Sequence, residues 1–445
     1  MAKYNKQDIL RIANEQNIRF LRLQFTDLLG ALKSVEVSRS QFEKALDNEC
    51  TFDGSTVEGF TKVENSDMCL YPDFDSFSIF PWYSPLGEGK VARLICDIYN
   101  PNGSAFDGDP RYVLKKAIKK AAGYNLTFNV GTECEFYLFR AGNDNKPSTE
   151  TDDIGGYFDM GIIDKGEECR REICTILEDM GFEVESSNHA VAPAQHEIGF
   201  KYGDALQTAD NVVTFKYVVK SVALQHGFNA TFMPKPVFGQ NGSGMHINMS
   251  AFKMLKNAFY DESDEAGLSQ TAYKFMAGIM DHAKVMTLVL NPLVNSYRRL
   301  VPGADAPVHI AWSAKNRSSM IRIPASRGMG TRLELRSPDA ACNPYLGLAV
   351  CLMAGLDGIE RGLKPPEATN TNVFNIGRRQ SDQIKIDTLP NSMADAIELY
   401  QNDDFLRGVL GEHVYNQYLY SKKREINSFR STISEWEFEN YYFKY

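Results

Sequence analysis

Apolar positions recur along this chain with two different periods, and the changes of period mark its elements. Residues 6–16 space them three to four apart, which predicts a helix. Residues 18–25 alternate, with Leu21, Leu23 and Phe25 on one face, which predicts a strand. A turn over 26–30 and a return strand over 31–37 complete a hairpin. A short helix over 40–48 and a strand over 91–99 follow. Residues 100–110 are dense in Gly, Pro, Asn and Asp, so a domain boundary is placed there, giving domains 1–104 and 105–445. Beyond it, Asp109-Pro110 caps a helix, and 126–139 is a strand followed by a polar loop over 141–153. A helix over 169–180 is stopped by Gly181. Residues 182–200 hold two short strands with Gln195, Glu197 and Gly199 on one face. A helix over 205–226 ends at Gly227, and 391–445 is largely helical. Residues 291–307 form a long irregular stretch of the kind that serves as a lid, with Arg298 and Arg299 ahead of Asp305. The class is α+β.

Three segments put polar residues at every second position. Gly131–Phe136 carries Glu133 and Glu135, Asn241–Ser250 carries His246, Asn248 and Ser250, and Thr331–Arg336 carries Arg332, Glu334 and Arg336. Alternate side chains of a strand share a face. One such face in isolation is most simply a wet side of a sheet. Three of them, bearing glutamates, a histidine and arginines, suit hard divalent cations and phosphate oxygens. The turn Asn241-Gly242-Ser243-Gly244 brings backbone N–H groups close to a ligand. Cys134, between the two glutamates, points the other way.

At 445 residues the chain has ample core for two or more domains. A net charge of −9 and a pI near 5.5 argue against bulk nucleic-acid binding. The lysine pairs 115–116 and 119–120 sit at helical spacing as a solvated face. The eight cysteines lack zinc spacing and read as free thiols of a reducing cytoplasm. The polar start carries no signal-peptide core, and no apolar run spans a bilayer. The aromatic tail from Trp436 to Tyr445 is too apolar for a free terminus, so it either packs on its own chain or anchors another subunit.

Several motifs then occur in a telling order: Phe52-Asp53-Gly54-Ser55, Asn241–His246, Arg299-Leu300-Val301-Pro302-Gly303, Asn316-Arg317-Ser318, Ile321-Arg322-Ile323-Pro324 and Asn343-Pro344-Tyr345. From end to end the chain resembles the type I glutamine synthetases, in their shorter Gram-positive form. It lacks the inserted segment and the adenylylated tyrosine of the other subtype, since 372–377 reads Asn-Val-Phe-Asn-Ile-Gly. The resemblance implies a small N-terminal β-grasp-like domain and a large catalytic domain with a curved antiparallel sheet flanked by helices. It implies a dodecamer with each site shared between neighbours, and ATP-dependent ligation of ammonium to glutamate through γ-glutamyl phosphate. It implies two or more Mg2+ or Mn2+ ions, with Glu135 and Glu197 on the glutamate side and Glu133, His246 and Glu334 on the nucleotide side. Glutamate would meet Glu135, Asn241, Gly242, His246, Arg299 and Arg336. ATP would meet Glu185, Asn248, Ser250, Arg317, Arg322 and Arg332. Asp53 from a neighbour and Asp305 on the lid would serve the ammonium step, with Arg317 on the transferring phosphate. Lys62 stands where the subtype has an arginine used in glutamine feedback, and the C-terminal tail is where transcriptional regulators bind.

Departures from the family pattern cluster at the ammonium side. The family's His-His-Glu-Val-Ala is Asn188-His189-Ala190-Val191-Ala192 here, which removes a metal-binding carboxylate. The lid's Tyr-Glu is Ala304-Asp305, one methylene shorter in its acid. Thr56 replaces a serine, and Thr132 and Cys134 replace prolines. These changes enlarge the expected pocket and leave two alternatives beside a retuned glutamine synthetase: a glutamate ligase for a larger amine, and a non-catalytic homologue that binds glutamate or glutamine.

Overall fold

The structure, a computed structural model, describes residues 3–82, 89–142, 146–303, 306–369, 372–373 and 386–445. Helix α1 (Lys6–Glu15) opens with a capping box in which Asn5 and Asp8 satisfy each other's backbone N–H. Strands β1 (Ile18–Thr26) and β2 (Leu32–Ser38) form the expected hairpin, and α2 (Phe42–Leu46) follows. Strands β3 (Cys50–Asp53), β4 (Asp67–Ile79) and β5 (Lys90–Tyr99) complete a sheet ordered β2-β1-β5-β4-β3. The β1/β5 pair is parallel and the others are antiparallel. Leu21, Leu23, Phe25, Leu70 and Leu94 fill its core. The pattern did not foretell β3 and β4. Strand β4 carries Pro72 and three aspartates, and its register shifts between Asp73 and Ser78, where a proline and a bulge break the alternation.

The larger part begins at α3 (Pro110–Ala122), capped by Asp109 as its sequence requires. Then come β6 (Thr127–Arg140), α4 (Glu167–Asp179), β7 (Val184–His189), β8 (Gln195–Phe200), β9 (Gly203–Asp204), α5 (Ala205–Gln225), β10 (Phe228–Thr231), β11 (Met245–Lys253) and β12 (Lys256–Asn257). Next are α6 (Gln270–Leu290), α7 (Ser296–Arg299), β13 (Trp312–Ser313), β14 (Ile321–Arg322), β15 (Leu333–Leu335) and α8 (Pro344–Arg361). Among the described residues α9 (Met393–Tyr400), α10 (Asp404–Leu410), α11 (Glu412–Arg430) and α12 (Glu435–Tyr441) close the chain. The sheet runs β13-β14-β15-β11-β6-β8-β7 and is antiparallel except for β13/β14. Helices α5, α6 and α8 bury one face of it, and glycines at 278 and 358 let α6 and α8 touch backbone to backbone. A Cβ on Gly278 would lie 2.0 Å from the Ala354 carbonyl oxygen.

The two sheets are locked by a buried ionic hub. Arg111, 3 % exposed, donates to both oxygens of Asp210 (3.0 and 2.9 Å), to Asp97 (2.7 Å) and to Asp73 (2.6 Å). Tyr345 on α8 donates to Asp210 at 2.7 Å. The side-chain amide of Asn343 adds bonds to the carbonyls of Asp27 and Leu28 at 3.3 and 3.1 Å. No helix among the described residues is long and apolar enough to cross a membrane. The aromatic tail does not pack on its own chain: Phe438, Tyr442, Phe443 and Tyr445 are exposed.

Candidate functional site

The three alternating segments become β6, β11 and β15, and they are immediate neighbours in the sheet. Register then decides what meets. Glu133 lies opposite His246, Glu135 opposite Glu197, and Asn248 opposite Glu334, which in turn faces Arg322. Cross-strand partners share a face, so residues from five strands project into one cleft. Cys134, Ile198 and Ile247 point the other way, into the core.

Ligand atoms of Glu133, His246 and Glu334 lie within 4.8 Å of one another. Glu334, 1 % exposed, is gripped by Arg322 at 2.6 Å and Arg336 at 2.7 Å. His246 Nδ1 lies 3.4 Å from Glu133 and 3.6 Å from Glu334. Asn248 donates to Glu133 at 2.9 Å and accepts from Arg332 at 3.0 Å. Burial alone would push the Glu133 carboxyl up, but His246, Asn248 and Arg336 outweigh it and hold it down to about 2. Glu197 goes the other way: burial, then the charges of Glu135 and Glu133, push it up to about 7. Four carboxylates, Glu135 and Glu197 directly opposed, plus one imidazole form a donor set that fits hard divalent cations.

Two cavities flank this row. One, of about 280 Å³, is lined by Glu135, Asn241, Gly242, Arg299, Arg317 and Arg336, among others. The second, of about 400 Å³, is lined by Glu185, Asn248, Ser250 and Arg332. Glu133 and Glu197 line both. Glu185 reaches its place through a register break in β7, between Val184 and Ser186. A Cβ on Gly244 would lie 2.7 Å from the Arg299 guanidinium and 3.3 Å from His246, so a larger residue would displace Arg299 from its place. Its N–H donates to Glu135 at 2.6 Å. Arg299, on α7, is held by the Ser337 carbonyl at 2.7 Å.

Both domains match family models. Residues 17–101 match the glutamine synthetase beta-Grasp domain, and 107–441 match the glutamine synthetase catalytic domain. The chain belongs to the glutamine synthetase family. A glutamine synthetase of Clostridium saccharobutylicum is 54% identical over 445 residues, the full length of both chains. One from Staphylococcus aureus is 52% identical over 443 residues, 99% of each. A solved structure titled "GmaS/ADP complex-Conformation 1" is 34% identical with a TM-score of 0.89, covering 98% of this chain and 99% of that one. The Plasmodium falciparum glutamine synthetase, 24% identical with a TM-score of 0.87 over 99% of each chain, shares the fold. The chain is a glutamate–ammonia ligase that makes glutamine with ATP, and neither alternative reading is favoured. The family uses ATP and divalent metal, and the Glu133, His246 and Glu334 cluster offers a matching set of ligand atoms.

Two of the expected residues, Asp53 and Lys62, lie away from this chain's own cleft, as expected of a residue given to a neighbour and of a feedback residue. Asp53 sits at the exposed end of β3, its carboxylate capped by the N–H and hydroxyl of Ser55 at 2.9 and 2.6 Å, and lines neither cavity. Lys62 is exposed in the same domain. Asp305 and Ala304 lie outside the described residues, as do 374–377, so the lid's acid has no described position. The expected widening at position 190 needs correction. Ala190 is fully buried, its N–H bonded to the Gln195 carbonyl, and Val191 lines the smaller cavity instead. The sequence reading also missed Tyr157, Lys235 and Tyr202 as cavity residues. Tyr157 follows the pair Gly155-Gly156, a turn signal that could have drawn attention to it.

Proposed function

We propose that the two cavities are the glutamate and nucleotide halves of one ligase site and that the row of Glu133 and Glu197 is where phosphate passes between them. The observation that carries this reading is that these two carboxylates line both cavities at once. Arg299, Arg336, Asn241 and Gly242 hold glutamate, and the planar forks of the arginines match its carboxylates. Glu185, Asn248, Ser250 and Arg332 hold the nucleotide, and Arg317 and Arg322 attend the transferring phosphate. Glu133, His246 and Glu334 would hold one Mg2+ or Mn2+, and Glu135 and Glu197 another. Such a pair neutralises charge on the attacking and leaving oxygens of phosphoryl transfer. The γ-carboxylate of glutamate attacks the terminal phosphorus of ATP, ADP leaves, and the amine then expels phosphate from the acyl carbon. Asp305 and a neighbour's Asp53 take the ammonium proton.

That division of labour implies a homo-oligomer, taken to be a dodecamer of a cytoplasmic enzyme. The exposed aromatic tail supports an assembly surface at the C-terminus, with a transcriptional regulator as a second occupant. Lys62 is a feedback residue in this scheme, and the domains divide at 104/105. The test is phosphate release from ATP with glutamate, with and without ammonium and with small alkylamines. Release that needs ammonium supports the reading; release unaffected by Arg299→Ala or Glu334→Ala sinks the assignment.

A further inference from the structure

Behind the glutamate-side wall lies a cluster to which the reaction assigns no part. Asp153, Asp164, His189 and His196 are all buried, with ligand atoms within 4.8 Å of one another. Such a group suggests a metal, but it already contains its own cation. The Arg170 guanidinium donates to Asp164 at 2.8 Å and lies 2.9 Å from His196 Nδ1. The other nitrogen of His196 has no partner and abuts Gly166, where a Cβ would lie 2.4 Å away. These groups are thus bonded to one another and to Arg170, which gives the cluster a structural part without an ion.

The bonds instead converge on the two ends of one segment. Asp153 Oδ1 accepts from Gly155 N–H at 3.0 Å and Ala194 N–H at 3.0 Å, while Oδ2 accepts from Lys165 N–H at 2.8 Å. One carboxylate thus ties the start of the 154–163 segment, the chain just past its end, and the β7–β8 turn. His189 Nε2 lies 2.9 Å from the same Oδ1, and His189 Nδ1 lies 2.7 Å from the Ala190 carbonyl oxygen. Both ring nitrogens face oxygen acceptors, so the ring holds both protons as an imidazolium. Opposed charges strengthen such bonds. The segment itself has little else to hold it. Ile154, Phe158, Met160 and Ile162 are exposed, the last to 87 %. Two further ties run from Phe158 N–H to the His189 carbonyl and from Gly161 N–H to the Glu167 carboxylate on α4, each at 3.1 Å. Yet Tyr157, in the middle of the segment, lines the cavity beside Glu135, Glu197 and Arg317.

We propose that His189 and Asp153 are a positioning pair that holds the 154–163 segment against β7 and so sets Tyr157 as a wall of the glutamate-side cavity. The proposal rests on the assignment of that cavity made above. Neither residue touches substrate; both act through the segment.

The test uses the assembled, full-length enzyme with His189→Leu, His189→Gln and Asp153→Asn. The direct readout is amide hydrogen exchange followed by peptide. In His189→Leu, exchange across 154–163 should quicken about tenfold or more, the scale set by losing a hydrogen bond between charged groups. Peptides of β6 and β11 should be unmoved. His189→Gln places an amide donor near the Nε2 position and should restore most of the protection. KM for glutamate or ammonium should rise several-fold in His189→Leu while the affinity for ADP, at the other cavity, stays the same. Unchanged exchange in 154–163 overturns the proposal. So does exchange that rises equally through β6, β7 and β8, because that marks a core defect. If His189→Leu does not assemble, Asp153→Asn, which keeps the size and removes the charge, is read by the same criteria. Loosening with no change in either KM overturns the link to Tyr157. Arg299→Lys separates that failure from a misassigned cavity: if it too leaves the KM for glutamate unchanged, the assignment is at fault.

Discussion

Replacing Arg111 with methionine should cost this protein as much stability as emptying a large core position. The side chain is 3 % exposed and serves three aspartates from both domains. Methionine keeps most of the volume and removes the charge. The three carboxylates will not suffer equally. Asp73 is the most exposed of them and can hydrate. Asp97 keeps Lys115. Asp210, with its side chain 11 % exposed, retains only the Tyr345 hydroxyl among its short bonds to the hub. Removing one partner of a buried ion pair costs about 3–5 kcal/mol, and here the cost falls mainly on Asp210. With an unfolding entropy of about 2.1 cal/mol/K per residue, that loss lowers the melting midpoint by roughly 3–5 °C if the whole chain unfolds together. If the first hundred or so residues detach alone, the same loss is spread over far fewer residues and lowers that transition by roughly 15–25 °C. Differential scanning calorimetry therefore reads both the size of the effect and whether the domains part. Arg111→Met combined with Asp210→Asn should recover part of the deficit, since the charge stranded on Asp210 is gone although the buried Arg93 loses the carboxylate it faces. A midpoint unchanged in Arg111→Met, or a double variant no better than the single one, would refute the argument.

Three further outcomes are expected. Glu334→Ala and His246→Ala should each abolish ATP turnover while leaving the fold intact, as read by phosphate release and circular dichroism; full turnover of either at limiting Mg2+ would remove it from the ligand set. Glu197, pushed up to about 7, holds a proton below that pH which a divalent ion has to displace, so Mn2+ affinity should climb with pH, by up to about tenfold per unit, and level off above 7. Titrations at pH 6, 7 and 8 giving one Kd would contradict this, and Glu197→Gln should flatten the dependence. Mixed assembly of Asp53→Ala subunits with Arg317→Ala subunits should restore part of the activity that each lacks alone, whereas no recovery in confirmed mixed rings would argue that the site belongs to one chain.

Most of the cleft was legible because period-two alternation fixes which face a side chain takes, whatever the partners. Glu133, Glu135, His246, Asn248 and Glu334 were placed by that rule alone. Register was not legible, because pairing Glu135 with Glu197 joins residues 62 positions apart across a long loop, α4 and β7, whose path the local sequence leaves open. Strand β4 escaped because Pro72 and its bulge disrupt the very alternation that reveals strands. Tyr157 escaped because its segment has no period; its place is set by Asp153 and His189, contacts that local pattern does not encode. Ala190 was placed by likeness to the family as an open wall, and packing by its neighbours closes that wall. The hub at Arg111 gave no signal either, since its three aspartates are scattered from 73 to 210.

The grip of Arg322 and Arg336 on Glu334 has a consequence for the order in which substrates arrive. Each oxygen of that carboxylate already holds a guanidinium, at 2.6 and 2.7 Å. Each oxygen keeps a second lone pair, so a divalent ion can take the carboxylate while the arginines stay, but it then sits beside their charge; a phosphate that draws an arginine away leaves the carboxylate short of a partner. Either event alone leaves a charge poorly matched and gains little. Arriving together, cation and phosphate swap partners with the protein in a single exchange, and no charge is stranded. The wall of the cleft is thus a coincidence detector. Metal should bind weakly without nucleotide and nucleotide weakly without metal, and by reciprocity each should tighten the other by the same factor.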